Sequence, residues 1–422
     1  MSLPASWAIV PMGKIIDLKY GKSLPEKVRS GTGFPVYGSN GVVGWHEPPL
    51  TESAAIVIGR KGSVGEVNYS SVPCFPIDTT YYVDDVPGGV LKFWYYQLKN
   101  LGLGGLNKST AIPGLSRSDA YLLDVKFPPV NEQHRIVDKL DRVLARIDAV
   151  NENLSRVGFL LKRFRQTVLR AAVSGQLTDG WRSKNDERGW SWCRLADVAN
   201  VGTGSTPLKS NSNYYSFRGI PWVTSSATGA DFIEESGSYV TELALKECRL
   251  KIYPPGTLVV AMYGEGKTRG QVSELMLHAA VNQACASVEV VSNLIDVKFL
   301  KIFLQANYEK MRLMAEGGNQ PNLSLSKIKN LSVPLPSVEE QREIVRQVSW
   351  FMTQSKGIER RLAAIRSVSD ELTPALLTKA FCGELVPQKL DDEPASELLA
   401  RVFEAKASEN HKPTRRKRQA LA

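Results

Sequence analysis

The chain has 422 residues, of which 43% are apolar and 23% are charged, a composition typical of a globular protein with more than one domain. No apolar run reaches the roughly 18 residues that span a bilayer and no secretory signal opens the chain, so we expect a cytoplasmic protein without a membrane anchor. The formal net charge of +10 favours a polyanionic partner, although part of the excess lies in the short tail 412–418.

Residues 1–128 are expected to form a strand-rich domain with one helix. Short β-branched runs at 54–58 and 81–83 are separated by turn-forming clusters such as G-S-N-G at 38–41. A helix is predicted at about 89–99. The mixture of short strands, turns and a single helix indicates an α+β domain rather than an all-helical one.

Two loops of this region contain side chains suited to DNA. The first, I-G-R-K-G-S-V-G at 58–65, places cations among glycines directly after a predicted strand. Glycines let the backbone approach a phosphate, and an arginine there can neutralise the phosphate or read guanine. A tight hairpin with solvated charges is the alternative interpretation of this loop. The second loop, L-N-K-S-T-A-I-P-G-L at 106–115, contains an asparagine, which is suited to adenine edges but is also a common turn residue. The candidate DNA contacts are Arg60, Lys61, Asn107 and Lys108.

A long helix is predicted next, from about Glu132 to Ser174. Apolar residues recur between 136 and 168 at alternating spacings of four and three, the pattern of a coiled-coil seam. No proline interrupts it, and at about 1.5 Å per residue the helix would be roughly 60 Å long. The predicted seam residues are Ile136, Leu140, Val143, Ile147, Leu154 and Leu161.

Residues 178–335 resemble the first region in composition. Strands are predicted at 258–262 and 286–290, with a helix at about 296–315. The loop Y-G-E-G-K-T-R-G at 263–270 again places cations among glycines after a strand, and G-G-N-Q-P-N-L at 317–323 offers amides suited to adenine edges. The candidate contacts of this region are Lys267, Arg269, Asn319 and Gln320.

A second seam follows in residues 336–387. It has serines at two seam positions, Ser355 and Ser369, and Pro374 is expected to kink or locally break its last turns. We therefore expect the second helix to be the less regular one. The predicted seam residues are Ile344, Val348, Phe351, Leu362 and Leu372.

An internal repeat relates the two halves of the chain. The Glu132-Gln133 pair recurs 208 residues later as Glu340-Gln341, and this offset continues without a gap to the ends of both helices. Farther upstream, Trp7 is matched with Trp192, 185 residues later, so the second region would carry 23 more residues than the first. The predicted organisation is two different domains (1–128 and 178–335), two similar helices (129–177 and 336–387) and a tail (388–422).

The simplest partner of each apolar stripe is the other one. We therefore expect the two helices to pair as an antiparallel intramolecular coiled coil between two strand-rich domains, an α+β fold. An intermolecular pairing that gives a homodimer is the alternative.

No catalytic, cofactor or metal site is found in the sequence. Gly-Lys-Thr at 266–268 imitates a phosphate loop, but the first glycine of that motif is replaced by Ala261. Glu265 and Lys267 form a nuclease-like E-x-K pair without a suitable upstream aspartate, and no D-P-P-Y-type methyltransferase loop occurs. The five cysteines form no C-x-x-C pair and the four histidines are dispersed. These absences favour a binding protein over a free-standing methyltransferase or nuclease.

The order of these parts resembles the specificity subunit of type I restriction-modification systems. The resemblance covers nearly the whole chain, and the proline-rich entry followed by E-Q-x-x-I-V, present twice, is its most specific feature. The motifs that carry it lie at 37–44, 58–65, 127–137, 172–177, 333–345 and 380–385.

The resemblance implies a non-catalytic subunit in which each domain reads one half of a split, asymmetric DNA target and the helices set the spacing. It also implies two modification subunits, which bring S-adenosylmethionine and methylate adenine, and two restriction subunits, which bring ATP- and Mg-dependent translocation and cleavage. No cofactor is then expected on this chain itself. A coiled-coil adaptor that binds only proteins is the alternative, and it would show little salt-dependent affinity for DNA.

Overall fold

A computed structural model describes residues 3–106, 114–185, 189–264, 266–314 and 322–410, the last without the side chains of 405–410. The chain forms two compact units. Unit 1 comprises residues 1–154 and 364–422, and unit 2 comprises residues 155–363. Each unit therefore combines one strand-rich domain with parts of both long helices.

The domain of unit 1 contains two small sheets and a strand pair. Its strands are β1 (Ala8–Pro11), β2 (Lys19–Tyr20), β3 (Phe34–Gly38), β4 (Gly41–His46), β5 (Ala55–Gly59), β6 (Val67–Ser70), β7 (Phe75–Pro76), β8 (Thr80–Val83) and β9 (Asp124–Phe127). Its helices are α1 (Met12–Ile15), α2 (Leu91–Asn100) and α3 (Arg117–Tyr121). The sheet orders are β2-β8-β5-β6 and β4-β3-β7, while β1 pairs with β9.

The core of this domain lies between β5 and α2. Every residue of β5 is buried, because it is flanked by antiparallel neighbours β6 and β8 and covered by the helix. Helix α2 contributes Phe93, Trp94 and Leu98, each with 0% of its surface exposed. The strands predicted at 54–58 and 81–83 and the helix predicted at 89–99 are confirmed within a residue or two.

The first long helix, α4 (Val130–Val173), begins three residues after β9 and is followed by the short α5 (Asp179–Lys184). It is one uninterrupted helix of 44 residues, as the seam periodicity predicted. Gly175 has a φ of +83°, a left-handed backbone that a residue with a side chain rarely adopts, so the chain turns away from the helix there.

The domain of unit 2 has the same kind of core and a larger second sheet. Its strands are β10 (Ser191–Arg194), β11 (Ala199–Thr203), β12 (Tyr215–Ser216), β13 (Ile220–Val223), β14 (Phe232–Ile233), β15 (Tyr239–Val240), β16 (Ile252–Tyr253), β17 (Leu258–Ala261), β18 (Val272–Leu275), β19 (Ala279–Val281), β20 (Cys285–Val290) and β21 (Ser332–Leu335). Its helices are α6 (Leu195–Val198), α7 (Glu242–Glu247), α8 (Val297–Ala306), α9 (Tyr308–Leu313) and α10 (Leu325–Lys329).

The two domains differ most in their second sheets. In unit 2 the first sheet has the order β11-β20-β17-β18-β14, and β10 pairs with β21 as β1 pairs with β9. The second sheet has five strands, β12-β15-β13-β19-β16, where unit 1 has three, and α7 is attached to it. The additional residues of the second domain therefore enlarge this sheet.

The second long helix, α11 (Val338–Phe381), is also 44 residues long and is continuous through Pro374. The expected local break at this proline is wrong. After α11 the chain continues to α12 (Ala395–Asn410), which is anchored in unit 1 by the buried carboxylate of Asp392, paired with Arg135. None of the helices in the described ranges has the length and hydropathy needed to cross a membrane.

The two long helices run antiparallel. In unit 1 the hydroxyl of Ser369 donates to the Asn151 side chain at 2.7 Å. In unit 2 Arg165 donates through Nε to the hydroxyl of Ser355 at 2.7 Å and pairs with Glu359 at 2.8 Å. Within unit 1 the core also brings Leu140 of α4 together with Leu377 and Ala380 of α11, so the chain moves backward along α4 as it moves forward along α11. The two seam serines are buried and hydrogen-bonded, so they form polar layers between the helices.

The predicted seam residues are buried to different degrees. Those with less than a tenth of their surface exposed are Ile136, Leu140, Ile147, Leu154, Leu161, Ile344 and Val348. Val143, Phe351 and Leu362 are half-buried.

The placement of Leu372 in the seam is wrong, because 47% of its surface is exposed. Beyond Ser369 the buried stripe passes instead through Leu377 and Ala380. Ile358 and Ile365, two heptads and one heptad earlier, are likewise 42% and 47% exposed, so from there onward this heptad position lies at the edge of the seam and the other seam position is the more buried one.

Replacing Leu140 by alanine should lower the free energy of unfolding by about 2–5 kcal/mol, since the side chain has 0% of its surface exposed and leaves a cavity. Leu160→Ala on the same helix is the matched control, with 52% exposed and an expected change within about 0.5 kcal/mol. Urea unfolding of both variants measures the difference. Equal effects would contradict the assignment of Leu140 to the core.

Candidate nucleic-acid interface

Each long helix begins with a buried Glu-Gln pair that binds it to its own domain. In unit 1 the carboxylate of Glu132 accepts a hydrogen bond from the indole N–H of Trp7 at 2.9 Å. The amide of Gln133 accepts from the backbone N–H of Val90 at 2.9 Å and donates to the carbonyl of Pro128 at 3.0 Å. Helix α4 is therefore tied to the residue before β1, to the start of α2 and to the end of β9.

The same contacts recur in unit 2. Glu340 accepts from the indole N–H of Trp190 at 2.9 Å. Gln341 accepts from the N–H of Asp296 at 2.7 Å and donates to the carbonyl of Pro336 at 3.0 Å. We call this arrangement of Glu132-Gln133 with Trp7, and of Glu340-Gln341 with Trp190, the Glu-Gln latch.

The latch corrects the sequence alignment. Trp7 corresponds to Trp190 and not to Trp192, of which 61% is exposed. The strand registers agree, since Ala8 pairs with Phe127 while Ser191 pairs with Leu335. The offset is therefore 183 residues, and the second region carries 25 more residues than the first rather than 23. Two tryptophans separated by one serine are indistinguishable by residue type, and only the hydrogen bond and the strand register identify the right one.

Each latch carboxylate has further donors. Glu132 also accepts from the side-chain amide of Gln388, and Glu340 accepts from the hydroxyl of Thr178 at 2.7 Å and from Arg182 at 3.0 Å. Burial raises the pKa of Glu132, while the hydrogen bonds from Gln388 and Trp7 oppose that shift. A carboxylate with less than 2% of its surface exposed needs such donors, because an unpaired buried charge is strongly destabilising.

In the domain of unit 1 the cationic loop after β5 lies beside a cluster of tyrosines. The guanidinium of Arg60 lies 5.4 Å from the ring centroid of Tyr20 and 5.9 Å from that of Tyr81, and it donates to the carbonyl of Asp78 at 2.6 Å. Burial raises the pKa of Tyr81 to about 12. Arg60 is thus partly occupied by protein groups, whereas the neighbouring Lys61 is exposed.

Of this cluster, sequence reasoning identified Arg60 but not Arg117 or the two tyrosines. Arg117, at the start of α3, is exposed and lies 5.2 Å from the ring centroid of Tyr20, itself 50% exposed. The backbone N–H of Leu115 donates to the carbonyl of Arg60 at 2.9 Å, which brings the start of α3 to the loop. The residues of the cluster come from segments that are distant in the sequence, so no local motif predicts that they lie together.

In the domain of unit 2 the corresponding loop joins β17 to β18. Lys267 is exposed, and its carbonyl accepts a hydrogen bond from the hydroxyl of Tyr308 at 2.7 Å. Arg312 donates to the carbonyl of Gly266 at 2.7 Å. Arg269 is only half-exposed. Both Tyr308 and Arg312 lie on α9, and the sequence did not identify either of them.

Four predicted contacts and one residue of the nuclease-like pair lie outside the described residues: Asn107, Lys108, Asn319, Gln320 and Glu265. Gly-Lys-Thr at 266–268 lies between two antiparallel strands, whereas a phosphate loop leads from a strand into a helix. Within the described ranges, no group of three or more His, Cys, Asp or Glu side chains is placed to hold a metal ion.

The model of the type I restriction modification DNA specificity domain matches this chain twice, over residues 4–157 and 187–366. The chain belongs to this family. Each match covers one strand-rich domain together with the first part of the long helix that follows it, so the repeat seen in the sequence is a repeat of this domain. As a member of the family the chain is a specificity subunit and not a catalytic one.

Similar proteins agree with this assignment. The EcoDI specificity subunit of Escherichia coli is 25% identical, over 99% of each chain. The EcoKI specificity subunit of Escherichia coli strain K12 is 26% identical, over 78% of this chain and 74% of its own. The StySPI specificity subunit of Salmonella potsdam is 27% identical, over 75% of this chain and 71% of its own.

Solved structures show the same fold. A chain from a study of complex assembly and conformational transition of the type I R-M system has a TM-score of 0.65 at 16% identity, covering 91% of this chain and 100% of that one. The HsdS subunit from Thermoanaerobacter tengcongensis has a TM-score of 0.52 at 18% identity, covering 91% and 98%. The predicted α+β fold, with two strand-rich domains and an antiparallel intramolecular coiled coil, is confirmed.

Removing one donor of the latch should destabilise unit 2. Trp190→Phe keeps an aromatic ring but deletes the N–H that binds Glu340, and we expect it to cost about 1–3 kcal/mol of unfolding free energy. Trp192→Phe, two residues later and 61% exposed, is the matched control and should change stability by less than about 0.5 kcal/mol. Urea unfolding compares the two variants. A larger loss for Trp192→Phe would restore the original alignment.

Proposed function

We propose that this specificity subunit reads a bipartite, asymmetric DNA target, one half with each strand-rich domain. The observation that carries the proposal is the pairing of an identical latch with different reading surfaces. The latch is the same in both units, while the second sheet has three strands in one domain and five in the other. Two unlike domains built on one framework fit two unlike half-sites.

The division of labour follows the sequence repeat. We propose residues 1–128 and 178–335 as target-recognition domains, and residues 129–177 and 336–387 as the helices that set the spacing and bind partner subunits. Residues 388–422 form a C-terminal segment whose last part is rich in lysine and arginine.

The proposed DNA contacts of the described loops are cationic. Lys61 and Lys267 are exposed in the loops that follow β5 and β17, and Arg60 and Arg269 are close to them in the sequence. Positive side chains at loops neutralise phosphates, and arginine also reads guanine edges. Arg117 joins this set, because it is exposed next to Tyr20 in the cluster around Arg60.

The helices are proposed to bind two modification subunits, to which two restriction subunits add in the full complex. In unit 2 the exposed fractions of Phe159, Trp350 and Ile358 on the long helices are 60%, 57% and 42%. In unit 1 those of Val368 and Leu372 are 58% and 47%. Five large apolar side chains exposed on the two long helices favour a surface that another protein covers. S-adenosylmethionine, ATP and Mg would be bound by those partner subunits, and the assembly would act on DNA in the cytoplasm.

The proposal is tested in the native host by using this chain as bait and by mapping methylated adenines with and without its gene. We expect a methyltransferase in the pull-down, together with loss of methylation at one split motif whose two halves differ. Deletion of the gene should leave all other methylated motifs unchanged, because only this chain would specify the lost one.

A variant and a control make the same experiment specific for the helices. Trp350→Ala should reduce recovery of the methyltransferase, since it removes an exposed apolar ring from α11, whereas Trp192→Ala, exposed in a recognition domain, should not. Recovery of proteins without a methyltransferase, and an unchanged methylation map, would instead identify the chain as an adaptor.

A further inference from the structure

The loop between β17 and β18 is closed by backbone hydrogen bonds at its base. The N–H of Ala261 donates to the carbonyl of Gln271 at 3.0 Å, and the N–H of Gly270 donates to the carbonyl of Ala261 at 2.8 Å. Within the loop, Gly264 and Gly266 have φ values of +144° and +58°, a region that residues with side chains rarely adopt. The backbone at Gly264 and Gly266 therefore depends on glycine.

Helix α9 binds the carbonyl groups of this loop. The Tyr308 hydroxyl donates to the carbonyl of Lys267 at 2.7 Å, and Nη1 of Arg312 donates to the carbonyl of Gly266 at 2.7 Å. Arg312 also donates to the Tyr308 oxygen at 3.1 Å, and its guanidinium lies 5.4 Å from the Tyr308 ring centroid. The two side chains thus support each other while they hold two consecutive carbonyl groups.

The backbone N–H groups of the same two residues differ from their carbonyl groups in this respect. Among the described residues, no acceptor lies within hydrogen-bond distance of the backbone N–H groups of Gly266 and Lys267, and both residues are exposed. Successive backbone N–H groups beside a lysine are the kind of donor set that binds an anion, because peptide dipoles and a full positive charge both attract it. The carbonyl groups, which would repel an anion, are bound by Tyr308 and Arg312.

We propose that the amides of Gly266 and Lys267, with the Lys267 ammonium, bind a backbone phosphate of duplex DNA, and that Tyr308 and Arg312 are positioning residues for this loop. The inference rests on the proposed function, since it requires that the second domain binds DNA. It adds the chemical group that the loop binds and two residues that act on DNA only through the loop.

Salt dependence distinguishes positioning from simple loss of stability. Each phosphate that a protein neutralises contributes about 0.9 to the slope of log K against log salt concentration. Tyr308→Phe removes one hydroxyl and no charge, so a merely destabilising effect would lower the fraction of folded protein and leave this slope unchanged. If Tyr308 holds the loop in its phosphate-binding form, the slope itself falls.

The experiment uses the chain purified with its methyltransferase subunits and a labelled duplex that contains the motif lost from the methylation map. Affinity is measured by fluorescence anisotropy at several salt concentrations. Lys267→Gln should reduce the slope by about one, and Tyr308→Phe should reduce it although no charge is lost. The variant that combines Lys267→Gln with Tyr308→Phe should have the same salt slope as Lys267→Gln alone, because both changes remove the same phosphate contact. Arg312→Lys, which keeps a donor, should remain closer to wild type than Arg312→Met.

Matched controls lie elsewhere in the same domain. Ser191→Ala removes a hydroxyl that donates to the carbonyl of Leu335 at 3.3 Å, and Lys298→Gln removes an exposed charge on α8; both lie outside the second sheet and should leave the slope unchanged. A wild-type slope for Tyr308→Phe, or additive effects in the double variant, would overturn the positioning role alone. A wild-type complex that does not prefer the motif-bearing duplex would overturn the proposed function as well.

Discussion

The buried carboxylates of the Glu-Gln latch constrain the rest of each unit. Glu132 and Glu340 have less than 2% of their surface exposed, and a carboxylate in that environment must keep its donors. One of these donors is a tryptophan next to the first strand of the domain. If the start of the long helix separated from that strand, the carboxylate would lose this hydrogen bond while still buried. Gln133 and Gln341 add a second tie, to the helix that covers the domain's main sheet. Within each unit, the direction of the long helix is therefore fixed by the domain that precedes it.

The cationic loops proposed to bind DNA are held by contacts of their own. In the first domain the cationic loop is bound to a tyrosine cluster through Arg60, whereas in the second it is bound through its carbonyl groups to Tyr308 and Arg312. Neither set of contacts involves the latch residues. Loops and second sheets can consequently differ between the domains, in strand number as well as in sequence, without loss of the framework. This independence is what a protein needs if its recognition surfaces are to change while its assembly with partners does not.

Local patterns predicted the elements well and the long-range contacts poorly. Both long helices were located within a few residues, because a seven-residue apolar repeat over many turns is a strong local signal. The same repeat misplaced Leu372, since an apolar spacing does not show which of the two seam positions is fully covered, and Ile358 and Ile365 at the same heptad position are exposed as well. Trp192 was chosen over Trp190 because only long-range contacts separate the two: the strand register and a hydrogen bond to a residue 150 positions away. Arg117, Tyr308 and Arg312 were missed for a related reason: each acts on a loop from a different segment of the chain.

The central claim, that each domain specifies one half of a split target independently of the other, is tested most directly by exchanging residues 1–128 for the corresponding domain of a relative. The donor domain must supply a tryptophan equivalent to Trp7, so that Glu132 keeps its partner. Adenine methylation is then mapped in the host that carries the hybrid gene. We expect a new sequence in one half-site, with the other half-site and the spacing between them unchanged. A change in both half-sites, or in the spacing, would contradict the central claim.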